Sequence, residues 1–424
     1  MRRIQTFSVM VLAVSLVLVL FYSTLHLEMA HVHRAAPEDL LKQPSLHESH
    51  DVQVGTRPSR PEAAAATTAS PDVHNISVYN SLKEAIPHNG AYWNRLLYSA
   101  LRSLHSRRDS DWSHCREMNQ ELLHTNVHDF SSYTVLFQTF LQGMNCRSPP
   151  VLISQPSKCV SGDGDRNNHT FLLLAIKSSP ENFNQRQAVR ETWGREGVYQ
   201  GGLRVRLIFL LGSFSPDDPD LSPLLSFEAR HYGDLLQWDF HESLLNLTLK
   251  MNMFLQWTLT NCPQVSFVFS GDDDVFVNTP TLLSYLHSMD ASKASQLYIG
   301  HVISTANPVR DPKSKYYIPL SFYDGSYPAY AGGGGFVISG ALLQRLYSVS
   351  HIIPFFPIDD VYIGMCSKAL GVSPEAHPGF QTFDVKEEDR ENLCVHKNLI
   401  LIHQRSPPQM KKLWKGIHSP LLTC

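Results

Sequence analysis

Neither sign of charge dominates this chain: 36 Lys and Arg stand against 39 Asp and Glu, a net charge of −3. That balance excludes nucleic-acid binding through bulk positive charge. Charged residues are sparse, 18% against 43% hydrophobic, so wholesale disorder is excluded as well. Seven cysteines in 424 residues are too few for a disulfide-built mini-scaffold, and no two form C-x-x-C. There is no G-x-x-x-x-G-K-[ST], which removes the P-loop. His241-Glu242 lacks the second histidine of H-E-x-x-H, because Leu245 stands there. Long apolar runs are equally scarce: a single one is present.

That run is Ile4 to Leu27, which contains no Asp, Glu, Lys or Arg. At about 1.5 Å per helical residue it crosses a hydrocarbon core of about 30 Å. Arg2 and Arg3 precede it, and positive charge stays cytosolic. Residues 1–3 therefore read as a cytosolic tail, 4–27 as a signal-anchor helix, and the rest as lumenal; a cleaved signal peptide is the alternative, against which the run is longer than the usual apolar region of about 7–15 residues. Asn75-Ile76-Ser77, Asn168-His169-Thr170 and Asn246-Leu247-Thr248 are glycosylation acceptors that agree with a lumenal face. Cysteines tend to pair there. Seven is odd, so at least one is free or pairs between chains.

Residues 28–90 are rich in Ala, Pro, Ser, Thr and His and show no sustained apolar period, the composition of a flexible stem. Residues 91–165 read as a mostly helical subdomain, with Trp93, Leu96, Leu97, Leu101 and Leu104 at helical spacing. From 166 to 424 the pattern is α/β. Apolar runs at Phe171–Ile176, Val205–Leu211, Leu235–Phe240 and Val265–Phe269 predict strands, and the segments between them predict helices. Such alternation implies a Rossmann-like, largely parallel sheet with flanking helices.

Three constellations within this region suit chemistry. The fourth predicted strand runs into Asp272-Asp273-Asp274-Val275-Phe276. Adjacent carboxylates repel unless something positive compensates, and the carboxyl end of a buried strand is where open α/β sheets bind ligands. Hard oxygen donors suit Mg²⁺ or Mn²⁺, which can neutralise a departing diphosphate. The second is Gly332-Gly333-Gly334-Gly335 between Tyr330 and Phe336: a backbone that a ligand can approach closely, or a tight bend between strands. The third is Asp359-Asp360 ahead of a predicted helix from Val361. One carboxylate can cap that helix; a second is available as a general base.

Four motifs in order make the chain familiar: Arg186-Gln187-Ala188-Val189-Arg190-Glu191-Thr192-Trp193-Gly194, the acidic triplet, Tyr327 to Phe336, and Pro357 to Cys366. Together they resemble the β-1,3-glycosyltransferases of glycosyltransferase family 31, over about Phe171 to the C-terminus and more weakly back to Tyr92. The resemblance implies a GT-A-type catalytic domain in a single-pass type II protein of the Golgi membrane. It implies Mn²⁺ held by Asp272, Asp274 and His403, and Asp360 as catalytic base. It also implies Asp273, Arg186, Arg190, Gly333 and Gly334 near the nucleotide-sugar donor. Asp359-Asp360-Val361 and the four-glycine run are more similar to N-acetylglucosaminyltransferases that extend N-acetyllactosamine than to galactosyltransferases, which usually carry Glu-Asp-Val and Ser-Gly-Thr-Gly. The expected donor is UDP-N-acetylglucosamine and the expected acceptors are galactose-terminated glycans on glycoproteins or glycolipids. UDP-galactose as donor, and a non-catalytic lectin or chaperone, are the competing readings. Tyr316, Tyr317, Tyr327 and Tyr330 are candidates to stack on acceptor sugars or to sit in the core. Self-association is left open.

Overall fold

The computed structural model describes residues 80–102, 120–160, 169–214 and 221–424. The expected cytosolic tail, signal-anchor, most of the stem, Leu104, and the acceptors Asn75 and Asn168 lie outside these residues. Among the described residues no helix is long and apolar enough to cross a membrane.

Twelve strands are described: β1 (Val151–Ile153), β2 (Leu172–Lys177), β3 (Gly197–Val198), β4 (Arg204–Ser213), β5 (Leu235–His241), β6 (Phe267–Asp272), β7 (Val275–Val277), β8 (Tyr298–Ile303), β9 (Tyr330–Ser339), β10 (Glu375–Ala376), β11 (Phe380–Gln381) and β12 (Leu401–His403). The main sheet is ordered β1-β5-β4-β2-β6-β9-β8-β10, with β3 on β4; β11-β12-β7 form a second, small sheet. Strands β5, β4, β2 and β6 are parallel, as expected from the alternation. Strand β9 joins β6 antiparallel, so the sheet is mixed.

The all-apolar reading of β2 follows from burial on both faces. Leu173 and Ala175 point into one hydrophobic cluster, Leu172, Leu174 and Ile176 into the other. Alternate side chains of one strand thus feed two cores. Helix Leu247–Asn261 supplies Met251 and Phe254 to the first core; helix Phe183–Glu191 supplies Ala188 and Val189 to the second.

Two expectations change. The composition extends the stem to residue 90, yet Asn80–Ala85 is helical, Leu82 and Ile86 are fully buried, and Ser81 Oγ donates to the Lys368 carbonyl at 2.7 Å. The helical segment after it is continuous with the α/β core: Trp93 packs edge-on to Tyr323 and Phe356, with ring centroids 5.5 and 5.6 Å away. Apolar residues of both segments share one cluster, so neither folds as a separate body. Among the described residues, Cys159–Cys262 and Cys394–Cys424 are disulfides, and Cys366 is a buried free thiol.

Candidate active site

The predicted strand Val265–Phe269 continues three residues further, and β6 carries Gly271 and Asp272 into the sheet. Its parallel neighbour β2 ends at Lys177, and the register sets Lys177 directly beside Asp272. Lys177 is 4% exposed. Its Nζ lies 3.0 Å from Asp272 Oδ1 and 2.8 Å from Asp359 Oδ2, and it reaches the Gly333 carbonyl at 3.4 Å. One buried cation therefore joins the acidic triplet to the Asp359-Asp360 pair. Burial works against the ammonium, but the two carboxylates more than offset it and raise its pKa. Burial also pushes Asp272 up, with Lys177 pulling the other way.

Helix Asp359–Ala369 begins two residues before the predicted Val361, so both aspartates occupy its first turn. Neither is the N-cap; that position is Ile358 and has no side-chain cap. Carboxylates are favoured at a helix N-terminus, which helps hold two of them side by side. Asp359 is committed to Lys177. Asp360 is half-buried, and its Oδ1 accepts from the Val361 N–H at 2.7 Å. Burial first, and Asp359 second, push Asp360 up to about 7, while Lys177 lowers it. An aspartate poised there is suited to take a proton near neutrality.

The glycine run is not a bend. It lies within β9, in register with β6 through Gly335 opposite Gly271. A Cβ at Gly333 would stand 3.2 Å from Asp360 Oδ2, and one at Gly334 would stand 3.5 Å from His403 Cβ and Cγ. Bare backbone at these two positions lets both side chains close on the strand.

Strand β12 brings His403 back against β7, opposite Val275. Its Nδ1 is 2.9 Å from the Thr382 carbonyl, which fixes the proton on that nitrogen and leaves Nε2 free to ligate. Nε2 lies 3.4 Å from Asp274 Oδ1. Burial lowers the His403 pKa, and the Asp274 carboxylate more than restores it. Asp272, Asp274 and His403 each offer a ligand atom within 4.8 Å of the others. Asp274 Oδ1 is buried without a hydrogen-bond partner. An orphaned carboxylate oxygen beside an imidazole lone pair fits a divalent cation.

The middle aspartate behaves differently. Asp273 is 7% exposed, and its Oδ2 accepts from Ser178 Oγ at 2.6 Å and from Asn182 Nδ2 at 3.0 Å. Burial pushes it up to about 6 against those two donors. A cleft of about 220 Å³ opens along Lys177, Ser178, Asn182, Lys250 and the triplet.

Two expected donor contacts lie elsewhere. Arg186 is fully buried and Arg190 nearly so. Both bind Glu228, and Arg190 also grips Asp234 at 2.7 Å. They sit beneath the cleft, because two cations on one helix face were matched by acidic residues 40 or so positions away that local sequence does not reveal. Tyr327 and Tyr330 are buried against Phe356 and its neighbours, while Tyr316 is exposed. Lys177, Ser178 and Lys250 were not singled out in the sequence. The signal for Lys177 was there: a lysine closing a strand that is apolar throughout.

A metal-competent cluster at the end of β6 and a poised aspartate in the first turn of a helix, joined by Lys177, suit a group-transfer enzyme. The comparisons narrow this. Residues 184–378 match the family model described as Galactosyltransferase. The mouse N-acetyllactosaminide beta-1,3-N-acetylglucosaminyltransferase 2 is 49% identical over 71% of this chain and 74% of its own length. Its human counterpart is 44% identical over 79% and 86%. The mouse acetylgalactosaminyl-O-glycosyl-glycoprotein beta-1,3-N-acetylglucosaminyltransferase is 43% identical over 68% and 74%. The chain belongs to the galactosyltransferase family, family 31 of the glycosyltransferases. Asp272, Asp274 and Asp360 fall inside the matched residues, and His403 lies beyond them.

Proposed function

We propose that this protein transfers N-acetylglucosamine from UDP-N-acetylglucosamine to the 3-hydroxyl of a terminal galactose on N-acetyllactosamine-type glycans, with inversion to a β-1,3 linkage. The observation that carries the reading is Lys177, which ties the metal-competent triplet to the helix of the base within one hydrogen-bonded unit. The relatives' names supply the sugar and the linkage.

Asp360 takes the proton from the acceptor hydroxyl as its oxygen attacks the anomeric carbon, and the bond from that carbon to UDP breaks. A single base suffices, since an inverting displacement has no covalent enzyme intermediate. Asp272, Asp274 and His403 would hold a divalent cation, Mn²⁺ in this reading, which when bound offsets charge on the departing diphosphate. Lys177 keeps Asp359 occupied and so leaves Asp360 to face the acceptor. The bare backbone of Gly333 and Gly334 lets Asp360 and His403 approach β9, so that base and metal ligand face the same sugar. The apolar segment 4–27 and the lumenal acceptor tripeptides support an anchor in the Golgi membrane, with the catalytic domain lumenal.

A donor panel tests the proposal. With a lactosamine acceptor and Mn²⁺, UDP release is expected from UDP-N-acetylglucosamine. Preference for UDP-galactose overturns the donor, and no release from any UDP-sugar with any acceptor favours a binding protein instead.

A further inference from the structure

We infer that Arg186 is a positioning residue for the donor half of the reaction, acting through Ser178 on Asp273. The inference rests on the donor reading above. Strand β2 ends at Lys177, and the two residues that follow, Ser178 and Ser179, line one wall of the acidic cleft. Two buried cations from different helices hold this wall, Arg186 and Lys250.

Arg186 donates from Nη1 to Ser178 Oγ at 3.2 Å and to the Ser179 carbonyl at 2.6 Å, and from Nη2 to the Pro180 carbonyl at 3.1 Å. Its Nε and Nη2 meet the two oxygens of Glu228 at 2.8 and 2.7 Å. Every N–H of the guanidinium has a protein partner, so Arg186 has no donor left for a ligand. Lys250, 1% exposed, donates to the Ser178 carbonyl at 2.8 Å and to Glu242 at 2.7 and 2.8 Å.

Ser178 has one hydroxyl proton. Accepting from Arg186 leaves that proton for Asp273 Oδ2, at 2.6 Å. Asp273 stands between Asp272 and Asp274, so fixing it fixes the turn that aims the two outer carboxylates. A planar fork is required here. Lysine in place of Arg186 supplies one point charge and cannot serve Ser178, two carbonyls and Glu228 together. Partners that hydrogen-bond metal ligands are typically worth about 10–100-fold in metal affinity or activity, and Asp273 lies between two such ligands.

The test uses the full chain and the variants Arg186→Lys, Ser178→Ala and their double. UDP affinity with Mn²⁺ is read by calorimetry, together with donor KM, acceptor KM and the thermal midpoint. Each single change is expected to weaken UDP binding and raise donor KM by about tenfold or more, with acceptor KM unchanged. The double is expected to lose no more than the worse single, since both break one link. Wild-type UDP affinity in either single variant, or losses that multiply in the double, overturns the inference. If Arg186→Lys lowers the thermal midpoint, Ser178→Ala decides alone, because it leaves the Arg186–Glu228 pair intact. A wild type that binds no UDP with Mn²⁺ overturns this inference and the donor reading together; normal wild-type binding with unaffected variants overturns this one only.

Discussion

At the scale of single residues the decisive group is Asp360. Its carboxyl is pushed up to about 7 by burial and by Asp359. As the proposed general base it works ionised, so protonation below that pH removes it. The expected kcat/KM profile has an acid limb near pH 7, falling about tenfold per unit below it. Lys177 lowers the Asp360 pKa, so Lys177→Met moves the limb to higher pH; a limb that stays or moves down contradicts the link. Asp360→Asn should lose about 10²–10⁴ of the rate and keep UDP binding. The aspartates stood out in the sequence because each lies in an acidic motif, and His403 only through the family resemblance; the structure brings Asp272, Asp274 and His403 together. Lys177 and Ser178 did not stand out. Their partners lie 182 and 95 positions away, and only strand register brings them together.

Among the elements, β9 carries the closest approaches between backbone and site side chains. Its glycines read equally as a bend or a ligand-facing backbone, because local sequence cannot say that Gly271 of β6 lies opposite Gly335. In place, the four glycines have different duties. Gly333→Ala puts a methyl 3.2 Å from Asp360 Oδ2 and should cut kcat while sparing the thermal midpoint and UDP affinity. Gly335→Ala puts one 2.7 Å from Phe269 Cζ, within the core. That overpacking should cost about 1–3 kcal/mol of stability, read from denaturant melts. Equal thermal midpoints for the two variants would contradict this division. The parallel strands were the most legible elements, since burial on both faces demands unbroken apolar runs. The helix Asn80–Ala85 was the least, because six residues carry too little period to stand out from the stem around them.

For the whole molecule, one sheet feeds two cores, and the site lies where β2 and β6 end between them. The four motifs pointed to the family that the comparisons show, while the packing of residues 80–102 against the α/β core was hidden, as long-range packing leaves no local pattern. The Cys159–Cys262 disulfide spans a separation of 103 residues across this body. Replacing both with serine should cost about 2–4 kcal/mol, seen as a lower thermal midpoint with the pH limb unchanged. The account's central claim is that the triplet and His403 grip a divalent cation for a nucleotide diphosphate. Titrating UDP into the protein by calorimetry, with and without Mn²⁺, tests it most directly. Tight binding that needs Mn²⁺ and vanishes in Asp274→Ala is the result expected. UDP affinity that is the same with and without the metal would contradict it.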